Sequence, residues 1–88
     1  MQELVIKEQD FKTAGQLHAY LKEQLNFPEF YGANLGALND CLTSRIVPLR
    51  ITVLRDNSIE DPWFDRLCSV LGRIALENDA IDVVCRNA

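Results

Sequence analysis

Apolar residues recur along this chain with two different periods, and the switches between them predict an alternation of strands and helices. The first run, Leu4-Val5-Ile6 within Gln2 to Lys7, is short and partly β-branched, which suits a buried strand better than a helix. Thr13 then stands where a helix cap belongs. After it Ala14, Leu17, Leu21 and Leu25 recur at helical spacing, while Lys22, Glu23 and Gln24 take the wetter side. The periodicity breaks at Asn26-Phe27-Pro28-Glu29-Phe30-Tyr31-Gly32-Ala33, because proline disfavours helical geometry before it and Gly32 permits a sharp turn.

Asn34 caps a second helix running to about Ser44, with Leu35, Leu38, Cys41 and Leu42 as its apolar stripe. A second strand is predicted from Pro48 to Leu54, through Leu49, Ile51, Val53 and Leu54, with the proline at its beginning or edge. Asp61-Pro62 is a helix start, an acid at the cap followed by proline in the first turn. Phe64, Leu67, Leu71 and Ile74 carry that helix to about Asn78, and Ile81, Val83, Val84 and Cys85 give a third strand. Strands separated by helical segments predict an α/β fold with a parallel sheet and crossover helices.

Composition narrows the function classes. With 88 residues, 48% hydrophobic and 25% charged, the chain suffices for one globular domain spanning 1–88, without staples of disulfide or metal. Its net charge of -4 repels phosphate, which argues against direct nucleic-acid binding and against docking on an anionic membrane, and favours a basic partner. Cys41, Cys68 and Cys85 are odd in number and widely spaced, so reduced thiols packed as small hydrophobes are expected, with neither a disulfide framework nor a metal site. Met1-Gln2-Glu3-Leu4 has no basic start, and no segment approaches the length of a membrane span, so a cytoplasmic protein is expected.

Catalytic chemistry has no visible kit. His18 is the sole histidine and lies beside the Leu17, Leu21 stripe, where a partly buried structural role is expected. The acids Glu60 and Asp61, or Asp79 and Asp82, fall at element starts, where capping and solvation account for them. No glycine pattern cradles a phosphate, and no cofactor is implied. The informative feature is the second helix, because Gly36, Asn39, Asp40 and Thr43 form a small polar face opposite its apolar stripe. The loop before it adds Phe30 and Tyr31, bulky groups at a turn, of which one is expected to fold into the core and the other to anchor a partner.

Leu17-His18, Leu21-Lys22, Phe27-Pro28-Glu29-Phe30-Tyr31-Gly32-Ala33-Asn34-Leu35 and Ala37-Leu38-Asn39-Asp40-Cys41-Leu42-Thr43 together resemble the barstar family, intracellular inhibitors of small secreted ribonucleases. The resemblance implies a three-stranded parallel sheet packed against three or four helices, and a loop and second helix that plug the basic active site of a ribonuclease. Carboxylates facing Arg and Lys would steer the encounter and block the substrate without chemistry. Asp40 matches the family's central acid, and Gly32, Asn34, Leu35 and Thr43 match contacting or loop-shaping positions.

The departures are specific. Gly36 stands where the best-known member has a second acid, Asn39 and Arg45 where it has tryptophan, and Phe30 where it has tyrosine. Arg73 aligns with a further contacting acid, and the stretch from Asp56 to Asp61 is shorter than the family's, implying one small helix fewer. The partner surface expected from the sequence is therefore Phe30, Tyr31, Gly32, Asn34, Leu35, Gly36, Asn39, Asp40 and Thr43, with Trp63 either packed at its helix start or an accessory anchor. The partner that the resemblance implies is a ribonuclease or nuclease-like protein with a basic active site; the alternative is a non-catalytic interaction module on the same fold with a non-nuclease partner.

Overall fold

A computed structural model describes residues 2–29, 31–56, 58, 59 and 61–87. Along the chain it runs β1 (Gln2–Lys7), a single 3-10 turn (Glu8–Asp10), α1 (Ala14–Leu25), α2 (Leu35–Thr43), β2 (Leu49–Arg55), α3 (Pro62–Glu77) and β3 (Ile81–Asn87). All three strands are parallel, in the order β1-β2-β3, with Leu4 beside Ile51 and Ile51 beside Val83. The α/β architecture expected from the sequence is the one observed.

Each helix starts where a side chain can accept a backbone N–H that the helix leaves free. The Thr13 side chain accepts from Gln16, Asn34 from Ala37 and Asp61 from Trp63, with Pro62 following in the first turn. Such caps are each worth about 1 kcal/mol. α1 ends on Asn26 in the left-handed region, φ 55°, a conformation asparagine tolerates better than most residues.

β2 is offset by one residue from the expected Pro48 start. Pro48 has no N–H to give the ladder; its carbonyl accepts from Gln2 N, and pairing proper begins at Leu49. The 3-10 turn after β1 has no apolar period to announce it, and among the described residues no helix intervenes between β2 and α3.

The core lies on one side of the sheet. Leu4, Ile6, Leu49, Ile51, Val53 and Ile81 alternate inward from the strands and meet Leu17, Leu21 and Leu25 of α1, Leu38 and Leu42 of α2, and Phe64, Leu67, Leu71 and Ile74 of α3. Burying each such side chain contributes roughly 1.5–3 kcal/mol before chain entropy is counted. The outward residues Glu3, Val5, Lys7, Arg50, Asp82, Val84 and Arg86 are exposed, so helices cover one face and leave the other bare.

One charged group is nonetheless buried. Glu8 is 1% exposed; its carboxylate accepts from Arg55 Nε at 3.0 Å and from the Asp56 backbone N–H at 2.9 Å. Arg55 also reaches Asp65 of α3 at 3.0 Å, so the guanidinium ties the end of β1 to the start of α3. The hydrogen bond that Arg55 donates to Glu8 is the main cause that holds the guanidinium well above the usual arginine range.

Candidate functional site

α2 is short, nine residues, and its two faces do different work. Leu38 and Leu42 are fully buried, and Leu35 and Cys41 are half-buried beside them, as the apolar stripe requires. Gly36 and Asp40 are exposed and Asn39 and Thr43 half-exposed on the other side, so the expected polar face does look outward. The Thr43 hydroxyl donates to the Asn39 carbonyl at 2.7 Å, and Ser44 donates to that of Asp40 at 2.9 Å. Both hydroxyls thus serve the last turn of the helix, while among the described residues the Asp40 carboxylate enters no ion pair.

The C-terminal end of α2 is held from a distance. Asn78, just past α3, donates through Nδ2 to the carbonyls of Leu42 (2.9 Å) and Arg45 (2.8 Å), with a longer contact to Thr43 (3.3 Å). The Leu42 carbonyl also accepts from the Arg45 N–H at 3.2 Å, so the amide adds to that turn and supplies a donor to the carbonyls beyond it. Its Oδ1 accepts from Ala80 N–H, so one amide fixes both the α2 exit and the turn into β3. The sequence reading treated Asn78 only as the stop of α3, and its one advance signal was an amide at that stop.

The loop before α2 is set by packing more than by flexibility. Gly32 has no positive φ; the left-handed residue is Ala33, φ 51°. The expectation that Gly32 supplies the sharp turn is therefore corrected. A Cβ on Gly32 would stand 3.2 Å from Asn34 Nδ2 and 3.4 Å from Ala37 Cβ, and the same Nδ2 donates to the Gly32 carbonyl at 3.1 Å. Glycine is needed there for close approach to the capping asparagine.

Of the two loop aromatics, Tyr31 folds inward and Phe30 lies outside the described residues. The Tyr31 ring packs on Phe27 (4.8 Å between centroids) and His18 (5.6 Å), and its hydroxyl forms a 2.6 Å hydrogen bond with His18 Nδ1. Burial, then the charge of Cys41, pushes its phenol up to about 12. His18 itself is 2% exposed, deeper than the partial burial expected, and burial lowers its pKa. Trp63 stands edge-on to His18 at 5.6 Å and to Phe64 at 5.5 Å, packed at the start of α3.

A groove of about 280 Å³ runs between α2 and α3, lined by Leu35, Gly36 and Asn39 from one side and Val70, Arg73 and Glu77 from the other. The structure thus gathers three of the nine expected residues with Arg73, and adds Val70 and Glu77, which the sequence reading missed because their helix pattern marked only the opposite, core-facing stripe. Among the described residues Arg73 enters no ion pair. Arg45, Arg50 and Arg55 are by contrast engaged elsewhere, with Gln2, with Glu3 and Asp82, and with Glu8 and Asp65.

The thiols divide. Cys41 is half-buried in the α2 stripe, and burial followed by the charge of Asp40 raises its pKa. Cys68 is half-buried and Cys85 exposed, so packing as a small hydrophobe fits Cys85 less well than expected. Partial desolvation of its thiol and the neighbouring Cys68 push Cys85 up to about 12. Among the described residues no three His, Cys, Asp or Glu side chains gather as metal ligands, and no helix is long and apolar enough to cross a membrane.

A family model described as "Barstar (barnase inhibitor)" matches residues 1–85. The chain is also 43% identical over 54 residues to the "Putative ribonuclease inhibitor YrdF" of Bacillus subtilis (strain 168). That alignment covers 60% of this chain and 59% of the relative, so the matched part spans a little over half of the relative's length.

Proposed function

Since this chain belongs to the barstar family, we propose that it is a proteinaceous inhibitor that binds a ribonuclease or nuclease toxin and occludes its active site through the loop and helix at 26–43. It acts without catalysis, as an immunity protein in the cytoplasm of the cell that makes the nuclease. The observation that carries the reading is the outward face of α2, where Asp40 stands exposed and, among the described residues, enters no ion pair, on a helix whose other face is locked into the core. A carboxylate held on a rigid element meets an Arg or Lys at little entropic cost and stands where an RNA phosphate would. Its position just before the clamped end of α2 supports the same role.

The groove shapes the choice of partner. Gly36 puts no side chain into it, a Cβ there standing 3.2 Å from Asn34 Oδ1, and Arg73 faces the same space with a cation. A partner that presents only positive charge would be repelled at this end. The reading that fits both ends is a target offering a cation to Asp40 and a neutral or acidic group to Arg73. That same cation favours the second reading, an interaction module whose partner is not a nuclease.

Affinity capture on the immobilised chain, followed by nuclease assay of what is retained, tests the proposal. The expected result is a stoichiometric complex in which nuclease activity is lost, and in which Asp40→Ala restores it. Capture of a partner without nuclease activity would move the balance to the second reading, and turnover of RNA by the purified chain alone would sink both.

A further inference from the structure

The bare face of the sheet carries an ordered charge pattern that follows from strand register. Three rows cross it: Glu3, Arg50 and Asp82; then Val5, Thr52 and Val84; then Lys7, Leu54 and Arg86. The first row is acidic at both edges, with Arg50 bridging Glu3 at 3.8 Å and Asp82 at 3.0 Å. The third is basic at both edges, and among the described residues neither Lys7 nor Arg86 enters an ion pair. Between them Val5 and Val84 are 45% and 38% exposed. Parallel sheets are ordinarily covered on both faces, and here the helices cover one.

We propose that this face docks on the same face of a second copy of the chain. Two sheets can stack face to face about a twofold axis lying between them, and the pattern selects its direction. With the axis along the strands, each row meets itself, Glu3 facing Asp82 and Lys7 facing Arg86, like on like. With the axis across the strands, over Thr52, the first row of one copy meets the third row of the other. Glu3 then faces Lys7, Asp82 faces Arg86, and the Arg50 stem lies over Leu54. Val5, Thr52 and Val84 face their own counterparts. Only the second arrangement is self-complementary.

The dimer is weak. Three strands about 4.8 Å apart and five residues at about 3.3 Å each make a platform of a few hundred Å², below the roughly 800 Å² per partner of a stable complex. Self-association is therefore concentration-dependent and weakened by salt, which screens exposed pairs. The helix layer stays on the outside, so both copies keep the α2 face free.

Sedimentation of the purified chain at low salt, from about 10 µM to about 1 mM, tests this. The weight-average mass is expected to climb from that of one chain toward twice that value, and to fall back when salt is raised. Lys7→Glu combined with Arg86→Glu places acid against acid and should hold the chain monomeric at every concentration. The same charge change off the sheet face, Lys12→Glu in the segment before α1 with Arg66→Glu on α3, should leave association intact. Circular dichroism confirms that each variant is folded. A single-chain mass throughout, equal association of the sheet-face variant, or equal loss in the Lys12, Arg66 control would each overturn the proposal.

Discussion

The hydroxyl of Tyr31 and Nδ1 of His18 lie 2.6 Å apart, joining the loop before α2 to the buried side of α1. Tyr31→Phe keeps the ring contacts and leaves the buried imidazole nitrogen without its partner. The expected loss is about 1–2 kcal/mol of unfolding free energy, read from urea melts, with α-helical content unchanged.

The same imidazole makes stability pH-dependent. Burial lowers the His18 pKa below its ordinary 6.5, so above that value it is neutral in both the folded and unfolded chain and stability is full. As pH falls through 6.5 the unfolded chain takes up a proton that the folded chain refuses, and stability declines until the lower folded pKa is reached. Thermal melts between neutral and mildly acidic pH should show this decline, and His18→Gln should flatten it over the same range.

Asn78 is expected to matter more than its place at a helix stop suggests. Asn78→Ala takes a donor from the carbonyls of Leu42, Thr43 and Arg45, of which that of Leu42 keeps the Arg45 N–H, a cost of about 1–3 kcal/mol. Hydrogen exchange should show faster opening confined to the last turn of α2 and the turn into β3.

Removing one half of the buried ion pair should be worse than removing both. Arg55→Met leaves the Glu8 carboxylate buried with only the Asp56 N–H and should cost roughly 3 kcal/mol, the low end for such pairs because Arg55 itself reaches solvent. The double variant Arg55→Met with Glu8→Leu should recover much of that loss in the same denaturant titration.

Charge at the two ends of the site should separate partners. Against the nuclease captured by the wild-type chain, Asp40→Ala should weaken binding about 30-fold or more, the ratio that a loss of ~2 kcal/mol produces. Against barnase, the ribonuclease in the family's description, Gly36→Asp with Arg73→Glu should bind tighter than wild type, as measured by calorimetry. Equal affinity of the two chains for barnase would remove Arg73 from the partner surface.

The caps at Thr13, Asn34 and Asp61 were legible because each is settled within three residues by a side chain and a nearby N–H. Periodicity gave the strands and the two faces of α2 for the same local reason. The Glu8–Arg55 pair joins residues 47 apart, and the Asn78 clamp reaches back 33 to 36 positions; neither follows from any local pattern. Gly32 was misread because a glycine at a turn points first to torsional freedom, whereas its crowding against Asn34 exists only once the cap has formed. Val70 and Glu77 became part of the groove only when α3 packed beside α2.

α2 interleaves residues that hold the fold with residues that meet the outside. Leu38 and Leu42 cannot change without opening the core, but positions 39 and 40 can, at little cost to folding, and position 36 can where the Asn34 cap gives by a few tenths of an ångström. A lineage can therefore follow a drifting target by exchanging side chains on one face of a single helix while its scaffold stands still. Gly36 and Asn39, which differ from the best-known member of the family, lie on that adjustable face.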